Sequence, residues 1–81
     1  MTAMRAKMVV TSLVSTVKDS EQLTFKAVGA DGAYPSGGLH EDNTYALFTP
    51  SGELKLTVNN PALIGQFRVG QTYYLDFTQV N

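Results

Sequence analysis

Cysteine and tryptophan are both absent from this 81-residue chain. Without cysteine, neither a disulfide framework nor a thiolate metal site can reinforce the fold. A single histidine, His40, leaves no second imidazole at ligand spacing. No apolar run approaches the roughly 18 residues a membrane-spanning helix requires. Charge of one sign is lacking too: the net charge is −1, so bulk electrostatics draw the chain neither to nucleic acid nor to an anionic membrane. Absence of cysteine is compatible with a reducing cytoplasm.

What is present suits a small globular domain. Hydrophobic residues make up 43 % of the chain, too many for a disordered one. A single domain over residues 1–81 of this size buries only about 60–65 % of its unfolded surface. Its core is therefore modest, and self-association is a common remedy for such chains. The N-terminus, MTAMRAKMVVTSLV, begins like a signal peptide, with two cations before apolar residues. Thr11, Ser12, Ser15 and Thr16 interrupt the run and no small-residue cleavage site follows, so it reads as a strand.

Two-residue alternation organises most of the sequence. Ala6, Met8 and Val10 share one face, with Arg5, Lys7 and Thr11 on the other and Val9 as the apolar exception. Leu13, Ser15 and Val17 continue in the opposite phase, which predicts a bulge or sharp bend near Thr11–Ser12. Lys18-Asp19-Ser20-Glu21 supplies turn residues, and Leu23, Phe25 and Ala27 then point inward against Thr24 and Lys26. These two strands form a hairpin. Residues 29–43 (GADGAYPSGGLHEDN) hold four glycines and a proline and read as a long surface loop. A third strand is expected over 44–49, with Tyr45 and Leu47 against Ala46 and Phe48.

The last third is the most structured part of the sequence. Thr49-Pro50-Ser51-Gly52 fits a type I turn, with Gly52 at positive φ as a bulge. In residues 53–59, Leu54, Leu56 and Val58 alternate with Glu53, Lys55, Thr57 and Asn59. Asn60-Pro61 starts a single helical turn that Gly65 ends, and Ala62, Leu63 and Ile64 plug one end of the fold. Gly70 turns the chain into a final strand with Tyr73, Leu75 and Phe77 opposing Tyr74, Asp76 and Thr78. The expected class is all-β: a small five-stranded barrel, OB-like or SH3-like, or a compact sandwich, with one short plug helix near 61–64.

The segments GELKLTVNNPALIGQF and RVGQTYYLDF, most visibly Asn60-Pro61-Ala62-Leu63 and Gly70 with Tyr74, Asp76 and Phe77, resemble short, largely uncharacterised proteins of tailed bacteriophages. The resemblance covers the C-terminal half. It implies a virus-encoded accessory or virion-associated protein, found in the host cytoplasm or the virion. It implies no catalytic residue.

Chemical constellations are sparse. His40-Glu41-Asp42 is the one cluster with metal-ligand chemistry, but adjacent loop residues seldom converge on one ion and the calcium-loop pattern is absent. Ser36 and Ser51 sit beside glycine outside any nucleophile motif, and Glu53 and Asp76 both belong to the solvent face. The chain therefore reads as non-enzymatic, with no cofactor and no metal site. Two binding readings follow. Tyr34, Leu39, His40, Phe48 and Tyr74 offer contact groups to a protein partner or a second copy. Alternatively, Arg5, Lys7, Lys26 and Lys55 with Phe48 and Tyr74 form a cation-and-aromatic surface for single-stranded nucleic acid, which the net charge disfavours.

Overall fold

Strand alternation and turn residues produce an all-β molecule. The computed structural model describes residues 4–29, 36–47 and 49–80. Its strands are β1 (Met4–Val17), β2 (Ser20–Ala27), β3 (Glu53–Val58) and β4 (Thr72–Phe77). All pairings are antiparallel, in the order β3-β2-β1-β4. The described residues thus form one open four-stranded sheet, and closure into a five-stranded barrel or a two-sheet sandwich is not seen among them.

The hairpin expectation holds, with Lys18-Asp19 as its turn and Asp19 in the left-handed region at φ 58°. So does the phase slip in β1. Val10 lies opposite Phe25 but Ser12 opposite Thr24, leaving Thr11 as the extra residue. A second slip falls between Val14 and Val17. Each bulge restores the inward phase, which is how Val10 and Leu13 come to share a face.

That face carries the core: Ala6, Met8, Val10, Leu23 and Phe25 are buried. Leu13, Tyr45, Leu54, Val58, Phe67, Tyr73 and Leu75 pack against them. Because β3 and β4 lie at opposite edges, the connection between them crosses the sheet, and Phe67 within it supplies the cover. Its ring meets Phe25 edge-on at 6.1 Å and Tyr73 at 5.3 Å, separations typical of favourable aromatic pairs.

Several expectations are corrected. Residues 61–65 form successive turns, not a helix, and Ala62 and Leu63 are exposed. The cap itself is present, since Asn60 Oδ1 accepts from the Ala62 backbone N–H at 3.0 Å. Phe67, not the 62–64 segment, covers the core, because Gly65 at φ +85° redirects the chain before a second helical turn can form. Gly52 does not adopt positive φ; its carbonyl instead accepts from the Ala27 N–H at 3.0 Å. Glu21, expected in the turn, belongs to β2 and is buried.

The expected third strand over 44–49 is also replaced. A 3-10 helix occupies Glu41–Asn43, turns follow, and Leu47 makes only an isolated bridge to Leu39. The reason lies in β1. β2 ends at Ala27, while β1 extends back to Met4, so Arg5 and Lys7 lack a strand on that side. Asn43 and Thr44 fill the gap with side chains as well as backbone.

The molecule is flat, measuring 48 × 33 × 16 Å. Its radius of gyration is 14.6 Å, against about 12 Å for a compact domain of this length. One sheet with one partial covering layer accounts for the difference.

Candidate functional site

The segment His40–Thr44 docks on the N-terminal half of β1 and builds a polar cluster there. Arg5 donates its N–H to Thr44 Oγ1 at 2.7 Å, and the Thr44 N–H returns to the Arg5 carbonyl at 3.0 Å. Lys7 donates its N–H to Asn43 Oδ1 at 3.0 Å, while Asn43 Nδ2 donates to the Val28 carbonyl at 2.8 Å. Asn43 is 2 % exposed, so these bonds satisfy groups that water does not reach.

His40 begins the 3-10 helix: its Nδ1 accepts from the Asp42 N–H at 3.1 Å. A neutral His40 in this arrangement carries its proton on Nε2. This cap brings Asp42 under the outer face of the sheet. Tyr74 Oη donates to Asp42 Oδ1 at 2.8 Å, and Lys7 Nζ lies 3.5 Å from Oδ2. The Tyr74 hydrogen bond, aided by the charge of Lys7, holds the Asp42 carboxyl below its ordinary range. Reciprocally, hydrogen bonding to Asp42, with partial desolvation, raises the Tyr74 phenol.

Arg5 completes the cluster. Its guanidinium lies 4.4 Å above the centre of the Tyr74 ring and makes two hydrogen bonds to Asp76, at 2.6 and 3.2 Å. The hydrogen bond from Arg5 depresses the Asp76 carboxyl. Charge-assisted pairs and a cation–π contact thus tie β1, β4 and the His40–Thr44 segment together.

Of the residues singled out from sequence, this arrangement unites Arg5, Lys7, His40 and Tyr74. Leu39 is exposed at the margin of the same segment. Lys26 and Lys55 lie across the sheet, with Lys26 opposite Glu53 and Lys55 opposite Thr24. Lys55 Nζ approaches Glu53 at 3.8 Å. Tyr34 and Phe48 lie outside the described residues. Asp42 and Asn43 are buried, so the C-terminal end of the 29–43 segment is not the solvated loop expected. Asn43 and Thr44 were missed, although a run of short hydrogen-bonding side chains such as Asp42-Asn43-Thr44 is a signal for backbone mimicry.

Within the cluster the Tyr74 hydroxyl, the His40 Nδ1 and the Asp42 and Asp76 carboxylates all carry hydrogen bonds. Among the described residues, no three His, Asp or Glu side chains converge as metal ligands, and no helix is long and apolar enough to cross a membrane. Comparison with protein families, curated proteins and solved structures finds no match.

Proposed function

We propose that the protein is a non-enzymatic module that works through protein–protein contact, by self-association or within a larger assembly. The observation carrying this reading is the incomplete cover of the apolar sheet face. Phe67 and Tyr45 shield its middle, but Met4 and Phe77 at one corner and Leu56 near the opposite edge remain 39–55 % exposed. The accessible surface is 5754 Å², whereas a folded monomer of 8.8 kDa exposes about 4,800 Å². The excess of about 1,000 Å² is comparable to one partner's share of a standard protein interface, about 800 Å². The bacteriophage setting, as an accessory or virion-associated protein, follows from the C-terminal resemblance.

Binding of single-stranded nucleic acid is the second reading, supported by Arg5, Lys7 and Tyr74 lying together on the outer face. Local charge weakens it: Arg5, Lys7 and Lys55 each have a carboxylate oxygen within 4 Å. Arg5 also covers one face of the Tyr74 ring, leaving a base one face fewer to stack on. Titration of a labelled oligonucleotide at two salt concentrations separates the readings. Negligible binding at both is expected; tight binding that weakens steeply with salt would favour the nucleic-acid reading.

A further inference from the structure

The two edges of the sheet are defended unequally. β3 carries Glu53 and Lys55, whose side chains are 46 % and 73 % exposed, and such charges discourage edge pairing. β4 carries one charge, Asp76, and Arg5 holds it at 2.6 Å. Its sequence, TYYLDF, contains no lysine, proline or glycine and is rich in aromatic residues that favour strands. Phe77 and Tyr74 remain more than half exposed there.

Backbone parity identifies what this edge offers. Arg5 and Lys7 direct their N–H groups away from β4, to Thr44 and Asn43. Alternation therefore points Met4, Ala6 and Met8 toward β4, where they face Phe77, Leu75 and Tyr73. The outward groups of β4 are then those of Thr72, Tyr74 and Asp76.

We propose that two copies pair antiparallel through β4, about a two-fold axis at Leu75, to form one continuous eight-stranded sheet. This rests on the protein-contact reading above and names its partner as a second copy. In this register Tyr74 of one copy exchanges backbone hydrogen bonds with Asp76 of the other. On the apolar face, Phe77 meets Tyr73 and Leu75 meets its own symmetry mate. A slip one way sets the two Asp76 carboxylates opposite each other, which like-charge repulsion opposes. A slip the other way leaves Phe77 facing Gln71 instead of an aromatic ring. Phe77 and Tyr74, the exposed rings on β4 itself, are the side chains such a pairing covers.

Light scattering on the intact chain should give twice the 8.8 kDa chain mass. Phe77→Lys should weaken association at least tenfold, while Thr57→Lys, exposed on β3, should leave the dimer intact. Because the chain has no cysteine, Leu75→Cys gives a clean register test. Facing residues of a non-hydrogen-bonded pair lie about 4.5 Å apart at Cα, within disulfide reach. Mild oxidation should therefore cross-link Leu75→Cys and not Tyr74→Cys. This covalent readout decides the register even if Phe77→Lys fails to fold. A dimer dissolved by Thr57→Lys and not cross-linked at position 75 would overturn the β4 pairing while sparing the protein-contact reading. A wild-type monomer at tens of micromolar would overturn the second copy as partner and leave that reading to a different protein.

Discussion

Asn43 stands in for a missing length of strand beside Lys7. Its Oδ1 accepts the Lys7 N–H at 3.0 Å, and its Nδ2 reaches the Val28 carbonyl at 2.8 Å. One side chain thereby continues the edge that β2 leaves at Ala27, and it delivers the adjacent Asp42 to Tyr74.

Replacing Asn43 by alanine orphans a donor and an acceptor in a region sealed from water. Asn43→Ala should cost about 2–4 kcal/mol, a large share of the stability of a small domain. Urea unfolding measures the loss. A change below about 0.5 kcal/mol would show that the segment is not held by this amide.

The carboxylates of Asp42 and Asp76 make stability sensitive to acid. Both titrate below their ordinary value of 3.8, owing first to hydrogen bonds from Tyr74 and Arg5 respectively. Groups depressed in the folded state contribute stability above that ordinary value and lose it as pH falls through the depressed one. Unfolding midpoints should thus decline below about pH 4 beyond what the other acids produce. Tyr74→Phe should move the Asp42 titration upward, as followed by carboxyl-carbon NMR, with Asp76 still held low by Arg5.

At the alkaline end the sign reverses. The Tyr74 phenol is raised above its usual 10.0, first by its bond to Asp42. Its contribution is present below that value and disappears as pH rises through the raised one. Ultraviolet titration should find Tyr74 among the last tyrosines to ionise, and Asp42→Asn should bring it earlier.

Tyr45 holds a different kind of opportunity. Its hydroxyl is buried with no hydrogen-bond partner, above Met8 and Gly52. Burial without a partner also raises its phenol. Tyr45→Phe removes that uncompensated group and should stabilise the fold by up to about 1 kcal/mol, seen as a higher melting temperature. Destabilisation would instead show that the hydroxyl is satisfied in solution.

Gly70 tests the entry to β4. It adopts φ +95°, and a Cβ there meets nothing within 4 Å, so any penalty is conformational. Gly70→Ala should cost about 1–2 kcal/mol. Gly37→Ala is the control, since Gly37 has open space and no positive φ; it should be nearly silent in the same denaturation assay.

The sequence alone determined whatever depends on neighbours along the chain. Alternation in β2 and β3 sorted Leu23, Phe25 and Leu54 from Lys26 and Lys55, and the broken phase of β1 located its bulge. Asn60 announced its cap, and Gly65 and Gly70 their reversals, because each meets a local backbone need. Tertiary structure decided the rest. Tyr45 and Leu47 alternate as a strand would, but alternation carries no information about which edge is vacant. The vacancy lies beside Arg5 and Lys7, 39 and 36 positions before Thr44 and Asn43 respectively. Filling it with Asn43 and Thr44 bent the segment into a 3-10 turn and drew Asp42 under Tyr74. Phe67 became the core's cover for a similar reason: the separation of β3 and β4 to opposite edges sends their connection across the apolar face, a path that only the strand order reveals.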